Sequence, residues 1–253
     1  MKAEKILEIL NHYITTLPED EGAVIQRIVD SQNKVEPRCA CGALALANLM
    51  IDLRAEIAIS CARAAGRASV LAACKRILNV ARKNKRTTYA QAWIGKDGRQ
   101  YLCNGFLGVA LTSHVEVPSA EDGPVSLEKT ISMRPSGAVP IALPDLGIVK
   151  THIKLCVANG EVYGPDKRVF WDFGAMGGLY DARYLADVLA ALPGCTGFVL
   201  PVDRAPTLFL QAPDGSQGVL CPVQCSKDSV RENTAARYGK DALSELSVQS
   251  LDT

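Results

Sequence analysis

Residues 75–86 read KRILNVARKNKR, and six of these side chains are cations: Lys75, Arg76, Arg82, Lys83, Lys85 and Arg86. Cations at that density can contact phosphate oxygens by plain electrostatics, without reading bases, and such binding weakens with salt. Their spacing fits one side of a helix. Val70, Cys74, Ile77, Leu78 and Ala81 share an apolar face, and Lys75, Arg76, Arg82 and Lys83 fall opposite it. Ser69 can cap a helix from 69 to about 84. Lys85 and Arg86 then follow at its C-terminal end, where cations suit the helix dipole. The plainer alternative is a solvated charged face with no ligand.

Other chemistries find less support. The nine cysteines include Cys39-Ala-Cys41 and Cys221-Pro-Val-Gln-Cys225. Neither pair has the Cys-x2-Cys spacing of a structural zinc knuckle, and no histidine is close, so no metal is expected. His12, His114 and His152 are scattered, with His152 in KTHIKL the best placed, and none sits in a Ser/His/Asp or Cys/His context. The GAMGG turn at 174–178 stands between a strand and a helix, as phosphate-binding turns do. It lacks both the GxGxxG spacing and the Lys-Ser/Thr of a P-loop. Asp145, Asp166 and Asp172 are separate turn or strand-edge residues, not a paired-carboxylate site. With no nucleophile–base pair, metal motif or cofactor fingerprint, the expectation is a non-enzymatic binding protein without a cofactor. A thiol-dependent enzyme using one of the cysteines is the alternative from a different class.

Bulk composition agrees with a globular chain. The 253 residues are 48% hydrophobic and 22% charged, and the net charge of +1 means that any nucleic-acid affinity must come from a local patch. The N-terminal MKAEKILEILNHY lacks a signal-peptide core, and the run CACGALALANLMIDL is too short for a bilayer span. A cytoplasmic protein with reduced cysteines and no membrane contact is therefore expected.

The elements that must position the basic cluster follow from periodicity and punctuation. Helices are expected up to Pro18, from 19 to about 29, and from 43 to 65, closed by Gly66. After the basic helix, Asp97-Gly98 between two β-rich runs signals a hairpin. Residues 113–145 are expected to be a long connection with some extended pieces, and 148–158 are ambiguous between helix and strand. RVFWDFG reads as a strand. LYDARYLADVLAAL reads as a helix with an apolar stripe of Tyr184, Leu185, Val188, Leu189 and Leu192. Three strand-like runs follow, TGFVLPV, PTLFLQAP and SQGVLCPVQ, and then a polar tail with a surface helix or two.

The order recurs. Residues 69–111 give helix, strand, strand, and 169–224 give strand, helix and three strands, which suggests two units packed helix to helix under a layer of strands. YDARYLADVLAALPG with FVLPVDRAPTLFLQAPDGSQGVLCPV resembles the last half-domain of bacterial DNA polymerase sliding clamps. The matching positions are Tyr184, Leu185, Leu189, Leu192, Pro206 and Pro222-Val223, and KDGRQYLCNGFLGVAL is weakly similar to clamp strands with an Asp-Gly segment.

The resemblance implies an α+β, clamp-like two-layer domain over 67–225, preceded by a helical region at 1–66 and followed by a polar extension at 226–253. It also implies helices that track duplex DNA without sequence preference, edge-to-edge self-association, and a hydrophobic cleft for a peptide of a replication or repair protein. Leu220, Pro222 and Val223 would belong to that cleft. One domain per chain would need about six copies to close a ring. Arg183 reads as a weak phosphate contact because Asp181 and Asp187 share its helix. An interaction module that keeps this fold without a DNA role, as a phage or mobile-element derivative would, is the runner-up.

Overall fold

Three helices open the chain: α1 (Ala3–Thr15), α2 (Glu19–Ser31) and α3 (Gly42–Ala64). They enclose a small core of Ile14, Ile25, Val29, Ala47 and Met50, each spaced to face inward. In α3, Ala58 leaves this cluster and joins the main core. The computed structural model describes residues 3–32, 34, 42–132, 135–164, 166–174, 178–200 and 206–223. Cys39, Cys41, Cys225 and the tail beyond 225 lie outside the described residues. No helix among the described residues is long and apolar enough to cross a membrane.

The fold is α+β. Helix α4 (Ala68–Lys83) leads into β1 (Ala92–Ile94), β2 (Gln100–Cys103) and β3 (Leu107–Leu111). Later, α7 (Ala182–Ala191) leads into β8 (Thr196–Val199), β9 (Leu208–Gln211) and β10 (Gln217–Leu220). The two meanders fuse into one sheet, ordered β1-β2-β3-β10-β9-β8 through the middle. Its central pair, β3 and β10, is antiparallel, with Val109 opposite Gly218. Exchanging the two helix-plus-three-strand units leaves this strand order unchanged.

Additions break that symmetry. β4 (Ser119–Ala120) pairs parallel to β1 at one edge, and β5 (Val139–Ile141) pairs antiparallel to β8 at the other. The stretch expected to be a long connection holds a helix, α5 (Val125–Ser132), started by Pro124. The ambiguous run is helical: α6 (Leu146–Ala158), capped by the Asp145 carboxylate. The aromatic strand β6 (Phe170–Asp172) does not lead the second meander. It pairs with β7 (Leu179–Asp181) in a separate two-stranded sheet, so the first three residues of LYDARYLADVLAAL are strand and not helix.

Alternation in the strands gives the sheet two apolar faces. Leu102, Leu107, Val109, Leu111, Leu208 and Leu210 join the core beneath α4 and α7. Trp93, Tyr101, Cys103, Ala110 and Val219 form a second cluster with Ile131 of α5. Three layers result, where two were expected: helices, sheet, and α5 on the far side. The Trp93 indole donates to the Glu128 carboxylate at 3.1 Å, which fixes α5 to the sheet. Above the sheet α4 packs on α7, α7 on α6, and α3 on α4.

Candidate functional site

The apolar face of α4 is as spacing predicts: Cys74, Ile77, Leu78 and Ala81 are buried against the sheet. This turns Arg76, Asn79 and Lys83 away from it, toward α7 and α6. Arg76 pairs with Asp187 of α7, while Arg86, just past the end of α4, lies beside Phe106 and the start of α7. The two helices therefore run antiparallel, and a cleft of about 980 Å³ opens where they meet α6 and residues 166–168.

The six predicted cations divide. Arg76, Lys83 and Arg86 line the cleft. Lys75 and Arg82 do not, so the single basic face expected from the sequence is split. Both are half-buried. Burial pulls the Lys75 ammonium below its ordinary value, partly offset by Glu116, and burial lowers the Arg82 guanidinium as well. One Arg82 nitrogen is buried without a hydrogen-bond partner among the described residues. Lys85 is exposed, in the left-handed conformation (φ 54°) that ends the helix, and it too stays outside the cleft.

In their place the fold brings Lys150 of α6, Arg168 and Arg183 to Arg76, Lys83 and Arg86. The acids that weakened Arg183 in the sequence are already engaged. Asp181 is buried and caps α7, accepting from the Arg183 N–H at 2.9 Å. Burial pushes its carboxyl up, against the backbone donors that hold it. Asp187 is also pushed up by burial, with Arg76 opposing. Asp166 pairs with Arg168 at 3.3 Å. Among the described residues the Arg183 guanidinium donates to backbone, to the Lys167 carbonyl at 2.9 Å and the Asp166 carbonyl at 3.3 Å. Among the described residues Lys83, Arg86, Lys150 and Arg183 make no ion pair, so the cleft presents net positive charge.

One end of the cleft is aromatic. Phe106, in the β2–β3 turn, stacks with Tyr184 at 5.7 Å between ring centroids and 13° between planes. The Arg86 guanidinium lies 4.5 Å from the Phe106 centroid and donates to the Asn104 carbonyl. Gly105 makes room for it: a Cβ there would fall 1.5 Å from an Arg86 nitrogen. Sequence spacing gave Tyr184 to the apolar stripe of α7 and Phe106 to a strand run. Only the fold brings them together.

Of the residues expected to dock a peptide, Leu220 is covered, and Pro222 and Val223 are half-buried. Leu220 is fully buried in β10 and offers no surface to a partner. Val223 donates its N–H to the Leu179 carbonyl at 2.7 Å and packs on the Phe170–Leu179 cluster, leaving Pro222 half-buried beside it. His152 is buried in α6, its Nε2 against the Phe170 carbonyl at 2.8 Å and its ring edge-on to Trp171. His114 contacts the Gly98 carbonyl in the hairpin, and His12 is exposed on α1. No group of three or more potential metal ligands occurs among the described residues. No protein-family model, no curated protein and no solved structure matches this chain.

Proposed function

We propose that the chain is a non-enzymatic, sliding-clamp-like protein that binds nucleic acid without sequence preference through the cationic cleft between α4 and α7. The observation that carries this reading is the convergence of Lys83, Arg86, Lys150 and Arg183, from three separated parts of the chain, with no ion-paired acid on any of them among the described residues. Cations of a merely solvated helix face have no reason to converge. The clamp-like part rests on the exchangeable helix-plus-three-strand units, whose helices lie side by side on one face of the sheet. Copies would associate through the short edge strands β4 and β5, so that several clefts act on one nucleic acid.

Fluorescence anisotropy with a labelled duplex of random sequence tests the reading. Lys83→Glu with Arg183→Glu abolishes binding at moderate salt, whereas Lys75→Glu leaves it within about twofold, as expected for a charge outside the contact. Equal effects of the two changes overturn the cleft as the binding surface. Sedimentation of the free protein and of the complex tests self-association.

A further inference from the structure

The aromatic end of the cleft supplies a chemistry that phosphate contact does not use. We infer that Arg86 and Tyr184, both resting on Phe106, form a platform for one nucleotide whose base is unpaired, presented by a single strand or as a free nucleotide. The inference rests on the nucleic-acid reading above and adds which form of nucleic acid the site takes.

Paired bases in a duplex are stacked on one another and cannot reach a ring set inside a cleft. Unpaired bases stack on aromatic side chains and on arginine planes, which is how single strands are held without sequence preference. The platform is preset. The Arg86 guanidinium is seated on the Gly105 backbone, tied to the Asn104 carbonyl and fixed over Phe106, so little side-chain freedom is left to lose on binding. A volume of about 980 Å³ admits a nucleotide and its neighbours, whereas a duplex could only lie across the mouth.

The polar groups are arranged to match. Asn79 of α4 and Asn84, just past its end, line the cleft, and side-chain amides carry both donors and acceptors for a base edge. A phosphate cannot seat on the N-terminus of α7, because Asp181 already occupies it. The phosphate position is therefore set by Lys83, Lys150 and Arg183, beside the platform and not on the helix end. An acidic peptide would use these cations but leave the platform and the two amides without a role.

The test uses the full chain and four probes at one salt concentration: labelled oligo(dT), a labelled duplex of the same length, unlabelled dAMP as competitor, and labelled poly-glutamate. Oligo(dT) is expected to bind about tenfold or more tighter than the duplex. Tyr184→Leu keeps the bulk of the side chain and weakens oligo(dT) by about tenfold while leaving the duplex unchanged, and Tyr184→Phe retains tight binding. Lys83→Glu weakens both. Competition by dAMP alone assigns the site to free nucleotides, and its failure assigns the site to strands. Either result upholds an unpaired-base subsite. Equal affinity for both oligonucleotides, or equal loss of both in Tyr184→Leu, overturns the subsite but spares the nucleic-acid reading. If neither oligonucleotide binds, or if poly-glutamate binds as tightly, that reading falls as well.

Discussion

Arg76 on α4 donates to the Asp187 carboxylate on α7, and this pair joins the two units of the repeat across the floor of the cleft. The Arg76 side chain is 48% exposed and the Asp187 side chain 11%, so the interaction is half-screened. Asp187→Asn is therefore expected to change stability by less than about 1 kcal/mol at neutral pH. Nucleic-acid affinity should rise, because Arg76 becomes free to contact phosphate. A urea titration checks the first outcome and duplex anisotropy the second.

Asp187 also sets a pH dependence with a definite sign. Burial raises its carboxyl above the ordinary value of 3.8, with Arg76 opposing, and Asp181 is raised in the same way. A raised carboxyl binds its proton more tightly when folded. Its contribution is thus fully present below the unfolded value and is lost as pH rises through the folded one. The stability of the native protein relative to Asp187→Asn should fall as pH rises from 3.8 upward. Denaturation midpoints measured across the acid range would show a flat difference if Asp187 were unperturbed.

Packing through the sheet is testable at Gly108 in β3. A Cβ there would lie 2.6 Å from the Ile131 side chain, the residue that seats α5 on the far face. Gly108→Ala should cost about 1–3 kcal/mol by overpacking. Ile131→Val in the same chain should recover part of that loss, because the two changes share one contact. Additive effects in a double-mutant cycle would place the strain elsewhere.

That contact marks where sequence legibility stopped. Helices α1 to α4 follow from period, since each buries a face that the residue pattern displays, and the strands of both meanders follow from short β-rich runs between turn residues. α5 escaped because it is only two turns long and seats just two apolar side chains on the sheet, Leu127 and Ile131, too few to display a period. Ile131 meets Gly108, and Glu128 meets Trp93, across sequence distances that no short window spans. β7 escaped because Leu179, Tyr180 and Asp181 continue the apolar pattern of the helix behind them. In the site, Arg76 and Lys83 were legible from α4 alone. Lys150, Arg168 and Arg183 were not, because their alignment depends on α6 and residues 166–168 lying beside α7. Arg183 could have been rescued by one cue: Asp181 stands where an N-cap is expected, so its charge is directed at backbone N–H groups.

Thiol reactivity separates a binding protein from a thiol-dependent enzyme. Burial pushes Cys74 up to about 12 and Cys195 up to about 11, and raises Cys103 and Cys221 as well. A nucleophilic cysteine needs the opposite shift. Iodoacetamide at neutral pH should modify Cys74, Cys103 and Cys195 slowly in the native protein and rapidly in urea, as read by peptide mass mapping, with exposed Cys221 labelled in both states. Rapid native labelling of Cys74, Cys103 or Cys195 would reopen the enzymatic alternative.

Gly105 tests whether Arg86 acts by charge or by position. At φ 89° with Arg86 packed where its Cβ would stand, Gly105→Ala should destabilise the fold by about 1–3 kcal/mol and dislodge the guanidinium from Phe106. The charge of the cleft is unchanged by this substitution, so the salt dependence of duplex binding should keep its slope. The four cleft cations that make no ion pair among the described residues set that slope at about −3 to −4 in a plot of log K against log salt. Arg86→Gln removes one charge, and the slope should become shallower by about one. If Gly105→Ala and Arg86→Gln flatten the slope alike, the Arg86 charge reaches phosphate only from the position that its packing on Phe106 fixes. If only Arg86→Gln does so, the glycine serves to hold the guanidinium in place, and its charge reaches phosphate from either position.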